Sequence, residues 1–340
     1  MRLLIVTQTL DSDDPILGFF HRWVEEFAKR FTHVTVVALN VGAHSLPANV
    51  SVHTLGKELG LERFPRTLRY IGLLFRLRNE YTHVFAHMNP EYVIGGGWLW
   101  RFLGKKIGFW YVHGTVSNRL KLAAFFAHRI FTASRESCRI DNPKVTIVGH
   151  GIDTGLFSPK GNPQRPALIT TGRISPSKHL EVVIDAFSRL KSMSPSATFV
   201  IAGGAGSPQE EQYADTVGAA AKAAGVRVIP PVPHREIPAL LKDASVFISA
   251  SETGSLDKAV LEAMSAGVVP ITSNPAYAPM LAPLSLHVAR TPEAFAAKCL
   301  ELFSNQARLA RLSQTVRDEI VRHHSMPRLM DVLKNAYEKL

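Results

Sequence analysis

Cysteine is almost missing from this chain: Cys138 and Cys299 stand far apart, in neither C-x-x-C nor Cys/His ligand spacing. That excludes a disulfide framework and a zinc site, and leaves two thiols expected to be buried and inert. Long apolar runs are missing as well. The stretch from Tyr92 to Trp100 is broken by Gly95, Gly96 and Gly97, whereas a membrane-spanning helix needs about 20 apolar residues. After Met1 and Arg2 only Leu3 to Val6 is apolar before Asp11, Asp13 and Asp14, too little for a secretory h-region, so a cytoplasmic location is expected. The first βα turn, Thr7 to Gly18, holds one glycine; without G-x-G-x-x-G an NAD enzyme is disfavoured.

Carboxylates are in deficit. Residues 1–160 carry 20 Lys and Arg against 12 Asp and Glu, and the remainder 19 against 16. A net charge of +11 fits an anionic partner: a phosphorylated ligand, an acidic membrane surface or nucleic acid. Nucleic acid is the weakest of the three, because the basic residues lack interleaved aromatics or a recognised module.

What is present is 340 residues, 46% hydrophobic and 20% charged, a packed protein of about two domains rather than a disordered or collagenous chain. Short apolar strands alternate with amphipathic helices. Leu3 to Thr7, a helix from Phe19 to Phe31 with Phe20, Trp23, Val24 and Phe27 on one face, and Val34 to Ala38 form a βαβ unit. Further strands are expected at 83–86, 106–112, 130–133 and 145–148, then at 167–171, 198–202, 226–229, 246–249 and 268–272. Continuous apolar strands followed by helices read as parallel sheets covered on both faces, here an α/β fold of two Rossmann-like lobes facing a central cleft. The Gly- and Pro-rich stretch after Gly155 reads as a linker over 156–166, dividing a lobe over 1–155 from one over 167–325. The tail 326–340 is a helix with Leu329, Met330, Leu333 and Tyr337 on one face, which must dock.

Two turns carry charge where an open α/β sheet binds ligands. The strand ending at Thr171 runs into Gly172 and Arg173, with Lys178 five residues on. A planar guanidinium fork and a mobile ammonium there suit one diphosphate, or are two solvated surface cations. After the strand 246–249, the loop Gly254, Ser255, Leu256, Asp257 leads through Lys258 into a helix starting near Ala259. Amides at such a helix start suit a phosphate, and Glu262, one turn in, could accept from a ribose diol or simply face solvent. Gly18 either lets a backbone approach an anion or eases a turn.

The ordered set of motifs resembles the retaining glycosyltransferases of GT-B fold, family 4 (glycosyl transferases group 1). The stretches that carry the likeness are Gly18; His113-Gly114; Thr132 to Ser134; Val145 to Asp153 with Phe157-Ser158-Pro159; Gly172-Arg173 with Lys178; Ala202-Gly203-Gly204; and Leu261 to Gly267. They cover nearly the whole chain, and the later half is the more specific. The resemblance implies an acceptor-binding first lobe, a nucleotide-sugar second lobe, and a tail helix returning to the first. It implies that Arg173 and Lys178 hold the donor diphosphate, Glu262 the ribose, the amides near Lys258 and Ala259 the terminal phosphate, His113 the donor sugar, and the loops at Gly203 and Val232 the nucleotide and its base. No metal and no cofactor beyond a UDP- or GDP-linked sugar substrate is implied. The family usually has a glutamate eight positions before Glu262; here that position is Gly254, with Glu252 or Asp257 as substitutes.

The expected activity is therefore retaining, metal-independent hexosyl transfer to a hydroxyl on a glycan or lipid-linked acceptor, in cell-surface glycan or glycolipid assembly. The rival readings are a non-catalytic nucleotide-sugar binding or partner subunit of the same fold, and a nucleotide-sugar epimerase. A basic amphipathic helix is expected from Leu61 to Arg78, either an ordinary core-packed helix or a peripheral contact with an anionic inner-membrane face.

Overall fold

The computed structural model describes every residue except Pro15, Lys160 and 162–165. The chain divides into two units, residues 1–151 with 326–340, and residues 152–325. The first crossing thus falls at Gly151, ahead of the expected linker, because Ile152 and Phe157 are buried in the second unit's core. Part of the expected linker, Lys160 and 162–165, lies outside the described residues.

The first unit is a seven-stranded parallel sheet. In chain order it contains β1 (Arg2–Leu10), α1 (Phe19–Ala28), β2 (His33–Val41), β3 (Val50–Thr54), α2 (Arg63–Arg76), β4 (His83–His87), α3 (Pro90–Phe102), β5 (Lys106–Trp110), α4 (Asn118–Phe126), β6 (Arg129–Thr132) and β7 (Val145–Ile147). The strand order is β3-β2-β1-β4-β5-β6-β7. Leu3 to Val6 are fully buried, as a continuous apolar strand covered on both faces must be. One core lies under α2, α3 and α4, built from Tyr70, Leu74, Val93, Trp100, Leu120 and Ala124 with the strands. The other lies under α1 and the tail, built from Phe20, Trp23 and Phe27 with Leu329, Met330, Leu333 and Tyr337. The Tyr337 hydroxyl is buried there and donates to the Val84 carbonyl at 2.7 Å. β3 carries no long apolar run; it forms by pairing with β2 from Val34↔Val50 to Ala38↔Thr54 at the sheet edge.

The second unit contains β8 (Ala167–Thr171), α5 (Leu180–Met193), β9 (Thr198–Ala202), α6 (Pro208–Ala223), β10 (Arg227–Ile229), α7 (Ile237–Leu241), β11 (Val246–Ser249), α8 (Lys258–Ser265), β12 (Val269–Thr272), α9 (Ala278–Leu281), α10 (Pro292–Phe303) and α11 (Gln306–His323). Its parallel strands run β10-β9-β8-β11-β12. The tail helix α12 (Met326–Glu338) belongs to the first unit. Strand order reverses between β8 and β11, since β9 flanks β8 on one side and β11 on the other. The loops leaving β8 and β11 therefore part to opposite faces and open a crevice at the strands' C-terminal ends.

Candidate active site

That crevice is where the second unit's charged turns meet. Arg173 and Lys178 line one small recess with Thr170, Thr171, Gly172, Leu180, Ile201, Ala202 and Ser249. Lys178 closes a 3-10 turn, Pro176–Lys178, behind which His179 takes the left-handed conformation at φ +47° before α5 begins. The Lys178 ammonium pairs with the Asp257 carboxylate at 2.9 Å, which also accepts from the Thr253 hydroxyl at 3.3 Å. The Asp257 carbonyl accepts from the Tyr277 hydroxyl at 2.6 Å. The Glu252 amide donates to the Ser177 carbonyl at 3.1 Å, and its carboxylate pairs with His179 at 2.9 Å. The loops after β8 and β11 are thus cross-linked at three places.

Arg173 is half-exposed, with its Nε 3.5 Å from Glu210 at the start of α6. Glu210 also accepts from the Gly206 amide at 2.9 Å, so the guanidinium is steered by a neighbouring loop. Gly203 is required for close approach: a Cβ there would lie 1.8 Å from the Gly172 carbonyl oxygen. This brings the loop after β9 against the turn that carries Arg173. Val232 lies half-buried in the loop after β10, beside Pro231, whose ring abuts Gly204.

Helix α8 starts at Lys258, one residue before the sequence suggests, with Asp257 in the N-cap position. The Asp257 side chain makes no capping bond there, being turned to Lys178. Asp257 and Lys258 enter two separate pairs. Lys258 instead reaches Glu262 at 3.7 Å. Glu262 is buried rather than solvated and accepts from His234 Nε2 at 2.7 Å. The His234 ring sits 5.3 Å from that of Phe157. Burial alone would raise the Glu262 carboxyl, but His234 and Lys258 outweigh it and hold the group below its ordinary value. Burial drives Lys258 the other way, down to about 8, against the pull of Glu262 and Asp153.

Gly254 has φ +65°, the left-handed region that side-chain-bearing residues avoid. The position where the family carries a glutamate is therefore shaped for glycine in this loop. Glu252, one of the two expected substitutes, is spent on His179 and Arg290.

In the first unit, order reverses between β1 and β4. Gly18 sits there at the start of α1, its amide donating to the Asp14 carbonyl at 2.9 Å. His113 follows β5 and is exposed, its Nδ1 accepting from the Thr115 amide at 3.2 Å; it is not a core histidine. Both cysteines are buried and unbridged, with Cys299 pushed up to about 12 by burial. Among the described residues no cluster of His, Cys, Asp or Glu could hold a metal ion. Three residues of this site went unread in the sequence: Glu210, His234 and Tyr277. Each reaches it only through a contact across many residues of chain, and only the position of His234 two residues after Val232 offered a local hint.

Two units of parallel sheet, with converging basic turns at a strand-order reversal, define an α/β protein of the GT-B class. Residues 153–319 match glycosyl transferases group 1, and the chain carries a domain of that family. Solved structures share the fold over the full length. Anabaena HepE, crystallised with UDP and glucose, is 15% identical with a TM-score of 0.76 and covers 100% of both chains. Sucrose-phosphate synthase from Thermosynechococcus elongatus is 13% identical with a TM-score of 0.79, covering 100% of this chain and 99% of its own. The lipopolysaccharide outer core galactosyltransferase WaaB is 12% identical with a TM-score of 0.63, covering 100% of both. No curated protein matches the sequence.

Proposed function

We propose that the protein transfers a hexosyl unit, with retention, from a UDP- or GDP-linked sugar to a hydroxyl of a glycan or lipid-linked acceptor in cell-surface glycan assembly. The observation that carries this reading is the convergence of Arg173 and Lys178 on one recess at the β8/β11 reversal. When the glycosidic bond breaks, charge accumulates on the departing nucleoside diphosphate. A guanidinium fork and an ammonium fixed beforehand by Glu210 and Asp257 meet that charge without reorganising. The first turn of α8 adds amides and the positive end of its dipole toward the terminal phosphate near Lys258 and Ala259, beside the Gly254–Leu256 loop. Glu262, ionised and oriented by His234, accepts from the ribose diol. Val232 and the Gly203 loop flank the base, and His113 acts on the donor sugar.

HepE is solved with UDP-glucose, which places that donor first in the test. A panel of UDP-, GDP- and ADP-sugars is read by thermal shift beside a transfer assay, since a ligand bound only by the folded state stabilises it by about 2.7 kcal/mol at a hundredfold excess over Kd. One donor family should raise Tm and turn over, and no shift with any of them overturns the reading. A second reading, a non-catalytic nucleotide-sugar binding subunit, is favoured by Gly254 alone, and a shift without transfer would establish it.

A further inference from the structure

The outward stripes of α2, α3 and α4 are apolar, where helices packed on a sheet normally present polar groups to water. On α2 they show Phe64, Leu68 and Phe75; on α3, Trp98 and Phe102; on α4, Leu122 and Phe125. The exposures are large: 85% for Phe102, 71% for Phe64 and 68% for Phe125. Within each helix these positions recur at helical spacing, so they share a face, and all three helices cover the same core on one side of the sheet. The rings of Phe75 and Trp98 approach to 5.9 Å across the α2–α3 seam, which joins the apolar stripes of those two helices. Patches of this kind mark interaction surfaces.

The charges around the strip identify what it meets. The three helices carry Arg63, Arg66, Arg69, Arg76, Arg101, Arg119 and Lys121, and a single carboxylate, Glu91, which is already paired with Arg119 at 2.8 Å. A second copy of this face would oppose cations to cations, and like charges across an interface are costly. Apolar rings ringed by guanidinium groups match instead the interface of a bilayer with anionic headgroups, where rings enter the acyl boundary and arginines remain among phosphates. No described helix is long and apolar enough to cross a membrane, so contact of this kind is with the surface. We propose that the α2–α3–α4 face of the first unit docks on an anionic lipid bilayer. The face spans three helices and is broader than the single basic helix the sequence displays. That the acceptor is carried by this bilayer rests on the transfer reaction above; the docking itself does not.

The test uses the full chain and vesicles of phosphatidylcholine alone or mixed with phosphatidylglycerol, without donor, so failure of the transfer reading leaves its outcome unaffected. The protein should sediment with the anionic vesicles and not with the neutral ones, and added salt should release it. Phe102→Ser and Phe125→Ser, both exposed and expected to keep the wild-type Tm, should each weaken recovery several-fold, and Arg63→Gln or Arg69→Gln about fivefold. Equal recovery from both vesicle types, or from neither, overturns the proposal. Unchanged binding of the α3 and α4 variants overturns the three-helix face. A concentration-dependent dimer abolished by these same variants would give the face to a second copy and likewise overturn it.

Discussion

Lys178 and Asp257, 79 positions apart in the chain, form a 2.9 Å ion pair that ties the turn after β8 to the start of α8. The Lys178 ammonium is thereby held in the recess it shares with Arg173, while the Asp257 carboxylate is engaged on the protein side. With that pairing, Asp257 is expected to act as a positioning group rather than as a direct reader of the donor sugar.

Asp257→Asn should accordingly lower free nucleoside diphosphate affinity, Tm and transfer together, with a stability loss of about 1.5–3 kcal/mol for the bond to a charged partner. Isothermal titration beside a melting curve checks this. Intact nucleotide affinity with lost transfer would instead put the carboxylate on the sugar.

Arg173→Ala removes a half-exposed side chain and should leave the circular dichroism spectrum unchanged. Loss of one preorganised donor to the leaving charge costs about 2.7–4 kcal/mol in the transition state, so transfer should fall about 10²–10³-fold. Wild-type turnover in this variant would remove Arg173 from the diphosphate site.

Gly254→Glu restores the family's residue in a backbone at φ +65°. The left-handed conformation should cost about 1–2 kcal/mol, read as a lower Tm with no gain in transfer. A rise in activity at unchanged Tm would show that the loop accepts the glutamate and that the chain merely lacks it.

The Lys258–Glu262 pair predicts a pH dependence of stability. Lys258 sits at about 8 in the folded protein, against about 10.4 unfolded. Below pH 8 both states carry the charge and the burial cost stands. Between about pH 8 and 10.4 the unfolded chain keeps a proton that the folded chain has released, so this contribution becomes more favourable as pH rises. Glu262 has the opposite sense: its folded value is lowered, so its contribution is present above its unfolded value of about 4.3 and is lost as pH falls through the folded one. Urea denaturation of wild type against Lys258→Met should show the difference moving toward wild type above pH 8, and against Glu262→Gln toward the variant in acid. Flat differences in both would mean that folding shifts the pKa of neither group.

The sequence by itself determined the parallel strands and the charged turns at their ends. Strands buried on both faces must be apolar without interruption, and β8, β9 and β11 begin and end at the residues that their apolar runs define. It marked Arg173, Lys178 and Glu262 because charge at a strand end or in the first helical turn is a local pattern. It could not show β3, whose half-buried residues acquire strand geometry only by pairing with β2, nor the outward apolar stripes of α3 and α4, which become anomalous only once their burial is known. Only the tertiary structure decided the partners: Asp257 for Lys178, Glu210 for Arg173, His234 for Glu262, and glycine at 254. Each depends on loops from different strands arriving at one point, and on a backbone dihedral set by that meeting. Hydrophobic periodicity encodes which residues are buried, whereas the pairing of buried charges is fixed by distances that exist only when the sheet has closed.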